Sequence, residues 1–408
     1  MPADTLTSGK SIRLVATSFF ALFAIVGLVL YGLPLYYDFF VKELGWTRAG
    51  VTSGNMLSKA AVGVVFGFFA GTIVDRIGPK KPMILGVIVA SLALVGLSQV
   101  HSYSAFYLFY CMNALGYVLA GPLPNQVLLS RNFKEVRGKA MGIAYVGIGI
   151  GFAFVPKFSG YFQDTLGFRK ALLLLGALVF VIGMPLVLML SKEDVAAPAV
   201  RSDAPKAPLS EVLRNKYFYL LMLGSMASIG AVGGAVQHFK MMLTLDRNWS
   251  NKEAMSIITM IATVSLVGRF GAGWLADKIG PKRVMLLVYL LVVASMLILV
   301  AGVPGASIYL YVLCFGLGLG GEYMIIPLMA GRLFGTVVLG RVMGIILAAD
   351  GIGEAVFPWV VGKLYDSTKS YTPGFQLLAG IALLGAIAVA LLPGKRPATS
   401  PAVSTSPA

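Results

Sequence analysis

Charged side chains inside apolar segments are the residues of this chain best suited to chemistry. Arg269 interrupts the apolar stretch Ile257 to Leu275. If that stretch spans a membrane, the guanidinium costs at least about 2.5–3.5 kcal/mol and is expected to face a cavity or a partner. We interpret Arg269 as a clamp for a carboxylate, which a guanidinium binds through two parallel hydrogen bonds. The alternatives are a structural ion pair and snorkelling toward the membrane surface.

Asp350 and Glu354 lie one helical turn apart in another apolar stretch, so they share a helix face. Burial favours the neutral form of a carboxyl group, and a nearby guanidinium favours the charged form. A carboxyl group exposed to both influences is suited to binding and releasing a proton. We therefore interpret both residues as proton-coupling groups. The alternative for Asp350 is that it only neutralises Arg269.

Tyrosine and asparagine side chains on other apolar segments are candidate hydrogen-bond donors to a substrate. Tyr110, Asn113 and Tyr117 form a polar stripe at helical spacing. Interhelical hydrogen bonds or packing explain such residues equally well. The candidates for substrate contact, beside Arg269, are Asn113, Tyr117, Tyr31, Tyr145 and Tyr323.

The core of the sequence occurs twice, at a spacing of about half the 408 residues. Gly71–Lys81 reappears as Gly273–Arg283, and Gly138–Gly142 reappears as Gly340–Gly344. Duplicated halves in an apolar chain are typical of membrane transporters. The halves differ at the residues with candidate chemistry: the counterparts of Arg269, Asp350 and Glu354 are Gly67, Ile148 and Phe152.

The composition indicates an integral membrane protein. Hydrophobic residues make up 58% of the chain, charged residues only 12%, and the mean hydropathy is +0.84. A membrane-spanning helix needs about 20 apolar residues. The hydropathy predicts twelve such helices, at 12–38, 48–75, 82–100, 104–130, 138–162, 170–192, 217–244, 252–276, 283–303, 307–333, 340–364 and 372–393.

The net charge of +16 is distributed over alternate loops rather than over one surface. Loops rich in Lys and Arg stay in the cytoplasm, so we expect both termini there. The basic stretches lack interleaved aromatic residues, which argues against a nucleic-acid partner. Cys111 and Cys314 fall inside predicted helices and neither belongs to a CxxC motif, so no metal site or disulfide framework is implied. No cofactor is predicted.

The predicted domains are a six-helix bundle at 1–192 and a second at 214–393. A Pro-rich cytoplasmic linker at 193–213 joins them, and a disordered tail follows at 394–408. In the repeated block, Asp75, Arg76, Asp277 and Lys278 are candidates for a conformational latch through ion pairs or helix-end contacts. The alternative is an orientation signal with a tight loop.

The block Gly-x-x-x-Asp-Arg/Lys-x-Gly-Pro-Lys-Lys/Arg resembles the signature loop of the major facilitator superfamily. That resemblance implies an all-α integral membrane fold of twelve helices in two pseudo-symmetric bundles. Arg269, followed by Gly271-x-Gly273-x-x-x-Asp277, is similar to the substrate Arg of monocarboxylate transporters. The chain departs from that family at Ser265, where an Asp is typical, and at Leu35, where mammalian members have a Lys.

The oxalate/formate antiporters are similar as well, but they add a Lys on the eleventh helix, where this chain has Asp350. One fixed cation suits one carboxylate. The resemblance therefore implies symport of a proton with a small monocarboxylate. Lactate is the expected substrate rather than oxalate, and pyruvate is a second candidate. The expected transporter is a monomer in the bacterial inner membrane. The alternative is an anion exchanger of the oxalate/formate type. An enzyme or a receptor is disfavoured because the chain offers neither a catalytic cluster nor a signalling domain.

Overall fold

The computed structural model describes residues 8–63, 74, 76–133, 136–191, 209–301, 305–335 and 338–394. These residues form helices and no strand. The α-helices, in chain order, are α1 Gly9–Leu22, α2 Tyr37–Leu44, α3 Arg48–Ser58, α4 Lys80–Leu97, α5 Tyr103–Ala120, α6 Pro122–Asn132, α7 Arg137–Leu166, α8 Phe168–Leu188, α9 Leu209–Leu213, α10 Lys216–Met241, α11 Asn251–Ile279, α12 Pro281–Val300, α13 Ser307–Phe334, α14 Leu339–Thr368 and α15 Thr372–Ala390.

Among the described residues, 11 helices are long and apolar enough to cross a membrane. They match eleven of the twelve predicted spans. The remaining predicted span, 48–75, begins with α3 and a π-helical turn at Lys59–Gly63. Most of its second half lies outside the described residues, so its full length stays a prediction.

The first span is a helix with two irregular turns. A π-helical stretch, Phe23–Leu30, follows α1, and a 3-10 turn, Leu33–Tyr36, leads into α2. Pro34 explains the second irregularity, because a proline has no amide hydrogen for the bond to the residue four positions back. Tyr31 lies between the two irregular turns, and such turns are frequent near functional sites.

The chain divides into two compact units. The first consists of Met1–Ser202, Val236–Thr263 and Pro358–Ser370, and the second of Asp203–Ala235, Val264–Phe357 and Tyr371–Ala408. The predicted division into bundles at 1–192 and 214–393 stays a prediction. Nearly all of the predicted linker and tail lies outside the described residues.

Helices cross closely at paired glycines in each unit. In the first unit, a Cβ on Gly27 would lie 2.6 Å from Cα of Gly151. In the second, a Cβ on Gly353 would lie 2.5 Å from the carbonyl oxygen of Met226 and 3.4 Å from Cα of Gly230. Gly151 and Gly353 are counterparts in the repeat, so the duplicated sequence produces the same helix crossing twice.

Candidate functional site

A close helix crossing positions Arg269 in the second unit. A Cβ on Gly320 of α13 would lie 2.0 Å from the carbonyl oxygen of Ser265 and 2.9 Å from the backbone nitrogen of Arg269. A Cβ on Gly268 of α11 would lie 2.6 Å from the carbonyl oxygen of Leu317. Only glycine allows this approach, so the backbone of α11 at Arg269 is held directly against α13.

The guanidinium of Arg269 presents unused hydrogen-bond donors. The side chain is half-buried, and its Nε and Nη2 atoms are buried without a hydrogen-bond partner among the described residues. These two N–H groups point from the same edge of the guanidinium, which is an edge that binds a carboxylate bidentately. Both carboxylate oxygens of Asp350 also lack a partner in the described part of the chain, so the two residues form no direct ion pair there.

Asp350 belongs to a buried polar cluster, which we define as Ser225, Ser228, Tyr289, Glu322, Asp350 and Glu354. Asp350 is 4% exposed and Glu322 is 0% exposed. Ser225 and Glu354 lie beside Asp350, whereas Ser228, Asp350 and Glu354 lie beside Glu322. Within the described ranges, neither oxygen of Glu322 has a hydrogen-bond partner. The cluster thus gathers carboxyl and hydroxyl groups in an otherwise apolar bundle.

The acidic members of the buried polar cluster sit on two helices. Glu322 is near the middle of α13, and Asp350 and Glu354 are near the middle of α14. The half-buried Glu354 packs against α10, because a Cβ on Gly233 would lie 2.8 Å from its Cγ. The predicted proton-coupling pair is therefore together in one cluster, as its spacing of one turn requires.

The corresponding positions of the first half are filled by apolar side chains. The repeat pairs Glu322 with Ala120, Asp350 with Ile148, Glu354 with Phe152 and Tyr289 with Val87. These four counterparts are 0%, 7%, 3% and 0% exposed, in that order. The register is supported by packing, since Gly116 contacts Ala90 as Gly318 contacts Val292. In the first half, apolar residues fill these positions. The four polar residues therefore occur only in the second half of the repeat.

Three predicted substrate-contact tyrosines line the same apolar cluster in the first unit. Tyr31, Tyr117 and Tyr145 all pack against one buried apolar cluster, which includes Leu22, Val26, Leu128, Ala144 and Ile148. The ring of Tyr31 is stacked obliquely on Phe152, with 4.2 Å between ring centroids. Gln126 donates a hydrogen bond to the hydroxyl group of Tyr145. The three tyrosines therefore share one core, and contact with a substrate stays a prediction for each of them.

Two residues of the polar stripe on α5, Tyr110 and Asn113, differ in their hydrogen bonding. The hydroxyl groups of Tyr110 and Tyr37 are hydrogen-bonded at 2.6 Å, which accounts for Tyr110. Asn113 is 6% exposed, and its Nδ2 is buried without a hydrogen-bond partner among the described residues. An amide in that state can donate to a ligand, so Asn113 is the member of the stripe that fits a binding role.

Comparison with known protein families identifies the fold. The sequence model of the Major Facilitator Superfamily matches this chain over residues 17–336 and again over 239–408. The chain belongs to the Major Facilitator Superfamily. The predicted fold class, an all-α integral membrane protein of the major facilitator type, is confirmed. The family consists of transporters, so the chain is a multi-pass membrane transporter rather than an enzyme.

Individual relatives agree with this facilitator assignment. The chain is 26% identical to monocarboxylate transporter 13 of Rattus norvegicus, over 82% of this chain and 79% of that protein. It is 26% identical to monocarboxylate transporter 4 of the same species, over 91% and 81%. The inward-facing, unoccupied structure of a bacterial homologue of the human lysosomal transporter Spinster aligns with a TM-score of 0.76 at 15% identity, covering 93% of this chain and 95% of that one.

The predicted latch of this facilitator is only partly described. Asp75 lies outside the described residues, and Arg76 is exposed. Asp277 and Lys278 are exposed as well, and the Lys278 ammonium lies over the ring of Trp274, 3.8 Å from its centroid. A role for these residues as a latch stays a prediction.

A buried ion pair, missed by the sequence analysis, lies at the end of the first unit that is predicted to face outward. The Nζ atom of Lys240 donates to Oδ1 of Asp38 at 2.8 Å and to the carbonyl oxygen of Leu35 at 2.6 Å. Thr244 donates to the other oxygen of Asp38 at 3.0 Å. Lys240 is near the end of the apolar helix α10, where sequence alone favours snorkelling over pairing.

A second ion pair at the same end joins Arg48 to Asp246. Arg48 donates from Nη1 to Oδ2 at 2.6 Å and from Nη2 to Oδ1 at 2.9 Å. The ring of Tyr365 lies 3.5 Å from the guanidinium carbon. The carboxylate of Asp366 accepts the backbone N–H groups of Arg48 and Ala49 at 3.2 and 3.0 Å, which places an anion on the first turn of α3.

The sequence analysis also missed Glu322 and preferred its neighbour Tyr323. Glu322 is fully buried, whereas Tyr323 is 40% exposed. A signal for Glu322 was present, because its counterpart in the repeat is Ala120, a change from apolar to acidic like those at Asp350 and Glu354. Comparing the two halves at every position would have found it. The role of Tyr323 in substrate contact stays a prediction.

Proposed function

We propose that the protein is a secondary transporter that carries a small monocarboxylate, lactate or pyruvate, together with a proton. The observation that carries the proposal is the half-buried guanidinium of Arg269, whose Nε and Nη2 atoms are buried and have no hydrogen-bond partner among the described residues. Buried donors of this kind are costly unless a ligand uses them. A carboxylate accepts both N–H groups from that edge and neutralises the charge.

The residue on the eleventh helix favours one carboxylate over two. The resemblance to oxalate/formate antiporters implies a second cation on the eleventh helix, and this chain has Asp350 at that place. A dicarboxylate bound at Arg269 would therefore lack the second cation that the antiporters provide. Relatives named as monocarboxylate transporters support the same substrate class.

Asp350 and Glu354 are the proposed proton-coupling groups. The buried carboxyl group of Asp350, which has no hydrogen-bond partner among the described residues, is stable when it holds a proton and costly when it is charged. When a proton and a substrate anion bind together, their charges cancel. The loaded protein then changes conformation with less net charge in the membrane. Alternating access would then follow from rocking of the two halves around the site.

Uptake of labelled L-lactate into proteoliposomes tests the proposal. We expect an inward proton gradient to drive accumulation and a protonophore to stop it. Unlabelled pyruvate should compete, and oxalate should compete poorly. Uptake that depends on an internal anion and ignores the proton gradient would instead support the exchanger. Location in a bacterial inner membrane, cytoplasmic termini and function as a monomer are parts of the same proposal, and the basic loops support the orientation.

A further inference from the structure

We infer that Glu322 and Asp350 share a single proton, so that this pair, rather than Asp350 with Glu354, is the proton-binding site. The inference rests on the proposed function and adds to it a residue on α13. The buried polar cluster contains three carboxyl groups, and the number of protons that they bind determines its charge.

The surroundings of Glu322 argue that it holds a proton in the described conformation. Its side chain is 0% exposed, and in the described part of the chain neither oxygen accepts a hydrogen bond. The groups facing it are Ser228 on α10, Tyr289 on α12, and Asp350 and Glu354 on α14. A buried carboxylate with two acidic neighbours and no paired cation is strongly destabilised, whereas the neutral acid is not.

The buried hydroxyl groups show how the pair could lose one proton and still be stable. The hydroxyl groups of Ser225, Ser228 and Tyr289 are buried and have no hydrogen-bond partner within the described ranges. Ser225 lies beside both Asp350 and Tyr289, and Ser228 lies beside Glu322. Each hydroxyl can turn to donate to a single carboxylate. The cluster therefore has donors for one negative charge at either acid.

Loss of both protons would leave two negative charges on Glu322 and Asp350. Like charges in a site of low dielectric constant repel strongly, so adjacent buried acids release their protons in two separate steps that belong to the pair. The hydroxyl donors assist the first step, whereas the second step places two negative charges in one buried cluster. The pair therefore exchanges one proton, and it does not lose both.

The duplicated half shows that packing does not require these acids. Ala120 and Ile148 occupy the corresponding positions and are 0% and 7% exposed. Apolar side chains therefore fill these positions in the first half, and both acids of the pair lie in the half that also contains Arg269.

Infrared difference spectroscopy of the reconstituted full-length protein tests the protonation directly. A buried carboxylic acid gives a C=O stretching band that a carboxylate lacks. We expect Glu322→Gln to remove a band of this kind that is present in the wild type. Glu43→Gln, the same chemical change at an exposed residue, should leave it in place. A band that persists unchanged in Glu322→Gln would show that Glu322 is charged and would overturn the inference.

The sharing of one proton is tested by combining Glu322→Gln with Asp350→Asn. Each single variant should lower the initial rate of proton-driven lactate uptake by about 5- to 150-fold. Because both changes affect one proton, the double variant should be no slower than the slower single variant. Losses that multiply would mean two independent groups and would contradict the pair. If the wild type shows no proton-driven uptake, the proposed function fails, whereas the infrared result still decides the protonation of Glu322.

Discussion

Lys240 and Asp38 form an ion pair of 2.8 Å whose side chains are only 2% and 6% exposed. The pair joins α2, from the first half of the sequence, to the end of α10, from the second half, inside the first compact unit. The aromatic ring of Phe39 lies 4.4 Å from the same ammonium group.

Removing one partner of this pair should destabilise the protein. Asp38→Asn leaves the buried ammonium of Lys240 without its counter-charge, which costs about 3–5 kcal/mol. We expect a clear drop in the melting temperature of the purified protein. Combining Asp38→Asn with Lys240→Met should recover much of the loss, because the uncompensated charge is gone. Glu43→Gln on the same helix is the exposed control and should melt like the wild type, while equal stability of Asp38→Asn would show that the pair is not important.

Gly320→Ala should disrupt the crossing that holds Arg269. The added Cβ would lie 2.0 Å from the carbonyl oxygen of Ser265, so α11 and α13 must separate. We expect both a lower melting temperature and a loss of lactate uptake. Gly271→Ala on α11 is the matched control, since a Cβ there meets nothing within 4 Å. If both variants transport normally, the crossing does not position the site.

Arg269→Ala should abolish transport while leaving a folded, membrane-inserted protein. The reason is the loss of the guanidinium donors that we assign to the substrate carboxylate. Arg269→Lys should also be poor, because an ammonium is a point charge without the two parallel donors. Uptake of labelled lactate and binding by the detergent-purified protein are the measurements. Near-normal uptake by Arg269→Ala would remove the clamp from the mechanism.

Asp350→Asn should separate substrate binding from coupling. The amide resembles the protonated acid in shape but releases no proton, so gradient-driven accumulation should fail while exchange of labelled for unlabelled lactate persists. Loss of a negative charge does not weaken attraction of an anion to Arg269. Both transport modes and the melting temperature should be measured on one preparation. Wild-type accumulation would transfer the role to Glu322 or Glu354, and a large loss of stability without a change in coupling would indicate a structural role.

Much of the candidate site was visible in the sequence. Arg269 and Asp350 stand out because charge in an apolar segment is a local property, and the repeat shows that their counterparts are uncharged. Their relation was less predictable. A direct ion pair between them was the alternative to function, and in the described conformation both Asp350 oxygens lack a partner. Whether two helices bring such groups into contact depends on their rotation and crossing, which hydropathy does not encode.

Glu322 and Tyr323 show the same limit within one helix. Both are polar residues in the middle of α13, and adjacent positions on a helix face different directions. The hydroxyl group suggested Tyr323, but the fully buried side chain is that of Glu322. Only the contacts of α13 with α10, α12 and α14 decide which of the two faces the polar cluster.

By itself, the sequence determined the membrane class, the duplicated transporter architecture and the position of the lone guanidinium. These follow from hydropathy, repetition and single residues, all of which can be read along the chain. The tertiary structure alone decided that Glu322 joins Asp350 and that Lys240 pairs with Asp38, which are residues far apart in sequence. Such pairings depend on which helix faces meet, and that outcome is set by the packing of many apolar side chains and close glycine contacts together.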